Sequence, residues 1–378
     1  MKELQNKYVN IDQKDIDEVI KSMKGDDFSG KSEVVSRFEK KLTDYFSVTY
    51  AMACSNGTSA IHQALMALDV MPGDEVMLPP TAPVMTILPI LAMAGVPVFV
   101  DTISDRCFGF SPQDFKNKIT KKTKAIISVP MWGYPFDMSE IIEIARNNNI
   151  SVIEDCSHSH GSQFQGKLLG TSGDINIFST QERKLLCTGE GAFVLTNDVQ
   201  LYTKMKELQM FGVFSQENLS LSEYTVSYGV KFGLNFKMNP MAAAMGCSQL
   251  DKLESKIRKR GENAKFLRDA LSEIQWLEEI PVGDGDIPNY YAMVLRVSEN
   301  SHGNAETISK DLSKKNIISD TYRYKYQPLY EMPLFNKYAS SCPNAEVLIS
   351  NIITLPTHEG LNSNDLEYII SAVSNSKG

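Results

Sequence analysis

Long apolar runs, paired cysteines and an excess of basic residues are all missing from this 378-residue sequence. No run of about eighteen apolar residues occurs, so we expect no membrane-spanning helix. The six cysteines form no CxxC pair and suit neither a zinc site nor a disulfide framework, so we expect reduced thiols. The formal net charge of −8 disfavours nucleic acid as a partner, because phosphate binding needs a basic surface.

The sequence also lacks a dinucleotide-binding motif, a secretion signal and a well-supported metal site. No GxGxxG occurs, which disfavours a dinucleotide-binding fold. The first residues, Met-Lys-Glu-Leu-Gln, contain no apolar signal core, so we expect a cytoplasmic location. His158 and His160 are one residue apart, but no acidic or thiol partner stands at ligand spacing, so we expect no metal.

What the sequence does contain is an alternation of apolar runs and helical patterns from Glu75 to about Thr196. The runs are short and rich in branched residues, which is typical of buried strands. The alternation predicts an α/β fold with a mostly parallel sheet and helices on both faces. The runs are Val76–Leu78, Val96–Val100, Ala125–Val129, Val152–Ile153, Ile175–Phe178 and Phe193–Leu195.

The pattern before and after this alternation predicts two domains. Residues 1–250, which begin with a helical segment, are assigned to a large domain. A long amphipathic helix from about Leu253 to Ile274 then leads to mixed strands and helices, which we assign to a smaller C-terminal α+β domain, 251–378. The Pro-, Gly- and Asp-rich stretch from Ile280 to Asn289 is the expected flexible connection.

Lys184 lies between two of the apolar runs, within the stretch Ser-Thr-Gln-Glu-Arg-Lys-Leu-Leu-Cys-Thr-Gly-Glu-Gly over 179–191. A lysine near the end of a buried strand is a candidate for Schiff-base chemistry. Partial desolvation lowers the pKa of such a lysine and frees its amine as a nucleophile. The alternative is a solvated lysine in a loop.

The stretch Asn56-Gly57-Thr58-Ser59 stands directly before a helical pattern. A helix N-terminus offers unpaired backbone N–H groups and the positive end of the helix dipole, which suit a phosphate group. The alternative is a plain N-cap, in which these side chains serve only the helix.

Asp155 follows the apolar run at 151–153, and the carboxyl end of a parallel strand is where such sheets bind ligands. It could instead cap the next turn. An amine, a strand-end carboxylate and a phosphate cradle together indicate pyridoxal phosphate. This cofactor needs a lysine for its Schiff base, an anion against its pyridine nitrogen and a helix N-terminus for its phosphate. Lys184, Asp155 and Gly57 with Thr58 supply all three.

Several short motifs follow one another in a fixed order along nearly the whole chain: Gly30 with Phe38-Glu39, Ser-Asn-Gly-Thr-Ser-Ala at 55–60, Glu154-Asp155, Gly173-Asp174, Lys184 with Thr188-Gly-Glu-Gly191, Asn235 and Leu355-Pro356. Each motif is weak alone, but the ordered set is specific. It resembles the DegT/StrS-type aminotransferases, which install amino groups on nucleotide-linked keto-sugars and keto-cyclitols. The resemblance implies the aspartate-aminotransferase-like fold (fold type I) and a homodimer with shared active sites.

The resemblance also implies a role for each residue of the site. Lys184 forms the Schiff base and then shuttles the proton between the cofactor carbon and the substrate carbon. Asp155 pairs with the pyridinium. His158 stands where the family commonly has a glutamine that bonds the phenolic oxygen of the cofactor, and a histidine can donate there too. A histidine with a purely structural role is the alternative.

The phosphate of the cofactor has its own set of residues in this resemblance. Asn235 would reach the phosphate bound by the neighbouring subunit. Within one subunit, the implied phosphate ligands are Gly57, Thr58, Ser59 and Ser179.

We therefore predict a transaminase that moves an amino group from glutamate or glutamine to a keto-sugar or keto-cyclitol in amino-sugar, antibiotic or surface-glycan biosynthesis. Gln181 and the sequence Asp155-Cys156-Ser157 resemble the branch that acts on keto-inositols, which favours a cyclitol or a free sugar. Two rivals are a non-catalytic binding or regulatory paralogue and a sugar dehydratase, although in the dehydratases a histidine replaces the lysine.

Two features, at three positions, depart from the family pattern. Pro83 stands where an aromatic residue usually stacks on the cofactor ring, so that Pro83 or Trp132 would have to cover it. Glu182 and Arg183 place two charges where the family mostly has small or neutral residues. Arg183 could lower the pKa of the neighbouring amine by like-charge repulsion, bind an acidic group or face solvent.

Overall fold

The computed structural model describes residues 3–213, 229, 231–298 and 303–376. Its strands, in chain order, are β1 Leu4–Gln5, β2 Tyr50–Cys54, β3 Glu75–Leu78, β4 Val96–Phe99, β5 Thr102–Ser104, β6 Cys107–Phe110, β7 Thr123–Ser128, β8 Ser151–Asp155, β9 Gln163–Phe164, β10 Lys167–Leu168, β11 Ile175–Ser179, β12 Ala192–Thr196, β13 Leu277–Glu279, β14 Met293–Val297, β15 Ile317–Ile318 and β16 Ile352–Leu355.

The α-helices lie between and around these strands. None of those in the described ranges combines the length and the apolar character needed to cross a bilayer. In chain order they are α1 Gln13–Met23, α2 Glu33–Phe46, α3 Gly57–Ala67, α4 Val84–Ala92, α5 Pro112–Lys118, α6 Ser139–Asn147, α7 Val199–Gln209, α8 Pro240–Asp251, α9 Leu253–Leu271, α10 Ala305–Lys314, α11 Asp320–Arg323, α12 Pro343–Ser350 and α13 Ser363–Ser374.

The largest sheet has the strand order β2-β12-β11-β8-β7-β3-β4. From β11 to β4 the neighbouring strands run parallel, whereas β12 is antiparallel to both β11 and β2. The mostly parallel sheet expected from the sequence is therefore confirmed. The sequence prediction missed β2, because its Tyr-Ala-Met-Ala-Cys run contains no β-branched residue.

The carboxyl ends of the parallel strands meet at one edge of this sheet. β8 ends there with Asp155 and β11 ends there with Ser179, and both residues are buried. β2 runs in the same direction as β11, since both are antiparallel to β12. The helix that follows β2, α3, therefore begins at the same edge, which is where open α/β sheets bind their ligands.

A second, antiparallel sheet with the order β13-β14-β16 has a hydrophobic core of its own. Leu267 and Leu271 of α9 lie in this core, whereas Leu253 and Ile257 at the other end of α9 pack in the core of the large sheet. α9 thus connects the two cores. β1 pairs in parallel with β15, so the N-terminal strand packs with the second core.

Residues 280–289, which we expected to form a flexible connection, are hydrogen-bonded to the loops of the large sheet. The amide of Ile287 donates to the carbonyl of Gln163 at 2.9 Å, and the reverse hydrogen bond measures 2.8 Å. The buried Asn289 side chain donates to the carbonyls of His158 and His160. The expectation was wrong, because turn-forming composition does not reveal which distant partners a segment will bond.

Candidate active site

The loop that carries Lys184 joins β11 to β12 and is tightly folded. The Lys184 amide donates to the carbonyl of Gln181 at 2.8 Å. The hydroxyls of Thr180 and Thr188 lie 2.6 Å apart, and a Cβ on Gly191 would come within 2.5 Å of the Thr180 hydroxyl. The next residue, Leu185, is buried and anchors the loop. These contacts hold the backbone of Lys184 in place, as a nucleophile requires.

The Lys184 side chain is half-buried, and burial lowers its pKa to about 8. The carboxylates of Asp155 and Asp320 oppose that shift, while the charge of Arg183 adds to it. The Nζ atom lies 5.3 Å from the centre of the Tyr291 ring and forms no hydrogen bond with any residue that the structure describes. The amine is therefore easier to deprotonate than a solvated lysine and is free to bond a ligand.

The Asp155 carboxylate is buried and held by two hydroxyl groups. Thr86, in α4, donates to Oδ2 at 2.7 Å, and Ser157 donates to Oδ1 at 2.6 Å. These hydrogen bonds fix the orientation of the carboxylate. Sequence reasoning found Asp155 but missed Thr86, which comes from a helix 69 positions earlier.

The N-terminus of α3 carries the residues that we expect to hold the phosphate. Asn56 caps this helix, since its Oδ1 accepts from the amide of Ser59 at 2.8 Å and its carbonyl accepts from Ala60 at 3.0 Å. The amides of Gly57 and Thr58 are then the ones left for an external acceptor at this end of the helix. Because the Ser59 amide is occupied, Ser59 has only its hydroxyl to offer.

Ser179 packs against the first residue of α3. A Cβ on Gly57 would lie 3.1 Å from the Ser179 Cβ, closer than almost all real Cβ contacts. Glycine is therefore the residue that lets the end of β11 and the start of α3 approach each other. This brings the Ser179 hydroxyl beside the two open amides, as expected for a phosphate cradle.

His158 stacks on Tyr291 with the ring centres 4.2 Å apart and the planes 8° from parallel. Burial and the charge of Lys184 lower the pKa of His158 well below its usual value, so the ring is neutral. Its Nδ1 accepts from the amide of Trp132 at 3.3 Å, which places the single ring proton on Nε2. His158 can therefore donate a hydrogen bond from Nε2, as its expected role requires.

Asn235 is exposed, and the structure does not bring it into contact with the other expected site residues of the same chain. Its Oδ1 accepts from Lys237 at 2.6 Å, and Lys237 itself forms an isolated bridge with Cys54. The amide of Ser55 donates to the carbonyl of Phe236 at 2.8 Å. The segment thus lies beside the chain that leads from β2 into α3.

Asp320 is a buried acid near Lys184 that the sequence did not reveal. It accepts from Asn6 at 2.6 Å and from the indole N–H of Trp132 at 3.3 Å. Burial raises the pKa of Asp320. The Trp132 indole is thus hydrogen-bonded to Asp320, while Pro83 directly precedes α4, whose first turn contains Thr86. No sequence signal marks Asp320, because its partners come from distant parts of the chain.

Pyridoxal phosphate fits this set of groups. One edge of the sheet provides a deprotonatable amine, a doubly hydrogen-bonded carboxylate, a neutral histidine with a free N–H and a helix N-terminus with two open amides. These match the reactive aldehyde, the pyridine nitrogen, the phenolic oxygen and the phosphate of the cofactor.

The model of the DegT/DnrJ/EryC1/StrS aminotransferase family matches residues 9–374. The chain belongs to this family. As a family member it is a pyridoxal-phosphate-dependent aminotransferase of the sugar-modifying class, which confirms the enzyme activity, the cofactor and the function expected from the sequence.

Two named relatives of this DegT/DnrJ/EryC1/StrS enzyme support the same assignment. A GDP-perosamine synthase of Escherichia coli is 32% identical over 345 residues, which cover 91% of this chain and 90% of that protein. A GDP-perosamine synthase of Caulobacter vibrioides is 30% identical over 365 residues, covering 96% and 95% of the two chains.

The fold is confirmed by comparison with solved structures. PseC of Helicobacter pylori, an aminotransferase involved in the biosynthesis of pseudoaminic acid, matches with a TM-score of 0.90 at 23% identity. The match covers 100% of this chain and 99% of that one. The expected aspartate-aminotransferase-like architecture is thus correct for this member of the DegT/DnrJ/EryC1/StrS family.

Proposed function

We propose that this aminotransferase transfers an amino group from glutamate or glutamine to a keto-sugar linked to a nucleoside diphosphate. The half-buried Lys184 amine, unbonded within the described chain and within electrostatic range of Asp155 and His158, is the observation that carries the chemistry. The nucleotide-linked substrate is supported by the two relatives named GDP-perosamine synthase, each similar over more than nine-tenths of this chain.

In this proposal Lys184 is both the attachment point and the proton carrier. Bound pyridoxal phosphate supplies an electron sink that stabilises negative charge on the substrate carbon. Lys184 Nζ would be the base that carries the proton between the carbon bearing the donor's nitrogen and the cofactor. Its lowered pKa favours this role, because a base works best when its pKa is near the working pH.

The other residues bind and orient. Asp155, held by Thr86 and Ser157, would pair with the pyridine nitrogen and keep it protonated. His158 would donate from Nε2 to the phenolic oxygen, and its stack on Tyr291 orients the imidazole ring. We assign the phosphate to Gly57, Thr58, Ser59 and Ser179, which lie at or against the N-terminus of α3.

A keto-cyclitol or a free keto-sugar is the second candidate substrate. It rests on Gln181 and on Ser157, yet both have local partners in this structure. The Gln181 side chain accepts from the Arg183 amide at 3.0 Å, and the Ser157 hydroxyl bonds Asp155. These local hydrogen bonds explain Gln181 and Ser157 without reference to a particular substrate. We therefore prefer the nucleotide-linked keto-sugar to the keto-cyclitol as the substrate.

We further propose a homodimer in which Asn235 reaches the phosphate held by the second subunit. The exposed position of Asn235, beside the chain entering α3, supports this role. We also propose the division into 1–250 and 251–378, which is supported by a second core formed almost wholly by residues of α9 and beyond. The cytoplasmic location stays a prediction from the sequence.

The half-reaction from the amine side tests the substrate class. The pyridoxal form of the enzyme is mixed with nucleotide-linked amino sugars, free amino sugars or aminocyclitols, and the visible absorbance of the cofactor is followed. We expect rapid loss of absorbance with a nucleotide-linked amino sugar only. Loss with an aminocyclitol or free amino sugar alone would favour the second candidate.

Assays of the same kind distinguish a transaminase from the two rival functions, the non-catalytic paralogue and the sugar dehydratase. Glutamate or glutamine alone should also bleach the pyridoxal form, because the donor half-reaction needs no sugar. A protein that binds the cofactor but is bleached by no amine would be the non-catalytic paralogue. A dehydratase would release water from a keto-sugar without consuming an amino donor.

A further inference from the structure

Arg183 is a cation beside the reactive lysine without an acidic partner. Its guanidinium carbon lies 5.8 Å from the centre of the Tyr324 ring, and its side chain is half-buried. Among the residues that the structure describes, no carboxylate forms an ion pair with it. A half-buried arginine without a counter-ion is unusual, because removing its charge from water has a cost that a paired anion normally offsets.

The acids around Arg183 are all engaged elsewhere. Glu182, the preceding residue, pairs with Lys7 at 2.7 Å, and Asp320 accepts from Asn6 at 2.6 Å. Arg323, the other nearby arginine, pairs with Glu3. Among the arginines in this part of the described chain, Arg183 is therefore left without a paired carboxylate, beside the Lys184 amine.

That charge acts on the groups that surround the Lys184 amine. Burial lowers the pKa of Lys184, and the charge of Arg183 adds to that shift. Burial raises the pKa of Asp320 and of Tyr291, and the charge of Arg183 opposes that rise. The three groups come from the lysine loop, from α11 and from the chain before β14, so the guanidinium lies where these elements converge. An anion bound at Arg183 would consequently sit beside the atoms that react.

We propose that Arg183 is a substrate-recognising residue that binds an oxyanion, either the carboxylate of the amino donor or a phosphate of the nucleotide-linked sugar. The inference rests on the proposed function, which requires both anions to enter this site. A planar guanidinium can donate two parallel hydrogen bonds to carboxylate or phosphate oxygens, and the Tyr324 ring lies beside it, 5.8 Å from the guanidinium carbon. This accounts for a charged pair at a position where the resemblance leads one to expect small or neutral residues.

The test is calorimetric titration of the holoenzyme with two unreactive probes. Glutarate is a dicarboxylate without an amine, and GDP is a nucleoside diphosphate without a sugar to aminate. The proteins compared are the wild type, Arg183→Gln, Arg183→Lys and the control Arg146→Gln. Arg146 is exposed near the end of α6, which leads to the amino end of β8 and thus to the opposite edge of the sheet.

We expect Arg183→Gln to weaken the binding of one probe by about tenfold or more, because a hydrogen-bonded charge is lost. Loss of glutarate affinity assigns Arg183 to the amino donor, and loss of GDP affinity assigns it to the nucleotide. Arg183→Lys should lose less affinity for that probe, since lysine keeps the charge but not the planar guanidinium. If Arg183→Gln does not fold, Arg183→Lys tests the same role. Arg146→Gln should bind both probes like the wild type.

The inference is overturned if Arg183→Gln binds both probes as tightly as the wild type, or if the wild type binds neither. These titrations need no turnover, so they are separate from the amine-side half-reaction that tests the proposed function. A wild type that is bleached by a nucleotide-linked amino sugar but binds the probes independently of Arg183 would retain the proposed function and lose only this role.

Discussion

Two lysines in this enzyme have the same lowered pKa and opposite surroundings. Burial lowers the pKa of Lys184 and of Lys256, in each case to about 8. Lys256, in α9, donates from Nζ to the carbonyl of Leu185 at 2.8 Å and to the side chain of Gln249 at 2.5 Å. Lys184 has no such acceptor in the described chain and faces the Tyr291 ring.

The difference teaches that a lowered pKa does not by itself identify a catalytic lysine. The donors of Lys256 are used to hold the protein together, whereas those of Lys184 are available to a ligand. The two are also linked, because the carbonyl that Lys256 bonds belongs to the residue directly after Lys184. Lys256 is thus a support of the loop on which the reactive amine stands.

The largest expected effect follows from Lys184→Ala. Turnover should fall by at least about a thousandfold, because both the covalent attachment and the proton carrier are removed. Steady-state assays with glutamate and with glutamine measure this loss. Thermal unfolding should show a folded protein, and appreciable turnover in this variant would reject Lys184 as the base.

Asp155→Asn should lower turnover by about a hundredfold or more, since the pyridine nitrogen loses the anion that keeps it protonated. The matched control is Asp174→Asn, which changes an acid that directly precedes β11 and accepts from the Val152 amide near the amino end of β8. We expect the control to change stability but not the visible spectrum of the bound cofactor. Equal kinetic effects in the two variants would contradict the assigned role of Asp155.

Lys256→Met should act mainly on stability and so sharpen the comparison between the lysines. It leaves the Leu185 carbonyl and the Gln249 side chain without a donor, which costs about 1–3 kcal/mol near pH 7. Chemical denaturation of the two proteins measures the difference. If Lys256→Met folds stably but loses as much turnover as Lys184→Ala, then Lys256 is not merely a structural lysine.

The pH dependence of Lys256→Met carries a definite sign. The folded protein holds Lys256 at a pKa of about 8, below the ordinary lysine value of 10.5, so the unfolded chain binds more protons between these limits. The cost of keeping Lys256 charged in the fold is fully present below about pH 8 and fades towards pH 10.5. The wild type should therefore gain stability relative to Lys256→Met as the pH rises through this window.

The smallest effect is expected from Thr86→Val, which removes one of the two hydroxyl donors to Asp155. Turnover should fall about three- to tenfold, as a neutral hydrogen bond is lost while Ser157 still donates. Thr120→Val is the control, because Thr120 bonds Glu75 at the opposite edge of the sheet. If Thr120→Val reduces turnover as much as Thr86→Val does, the network around Asp155 has no special role.

The sequence was sufficient where local pattern decides the structure. The apolar run Val152–Ile153 predicted the strand that the structure shows as β8, and β8 ends with Asp155. It was insufficient where the fold joins distant segments. Nothing near Tyr291 or Asp320 indicates that they face Lys184, since only the docking of the second core against the large sheet brings them there.

The first few residues of the chain bear on how this protein is handled in the laboratory. Asn6 bonds Asp320, Lys7 pairs with Glu182 in the lysine loop, and Leu4 pairs with Ile317 in the second core. Residues 4–7 therefore connect the loop that carries Lys184 to the C-terminal part of the chain through side-chain and backbone contacts. Removing residues 4–7 should therefore disturb the enzyme far more than their number suggests.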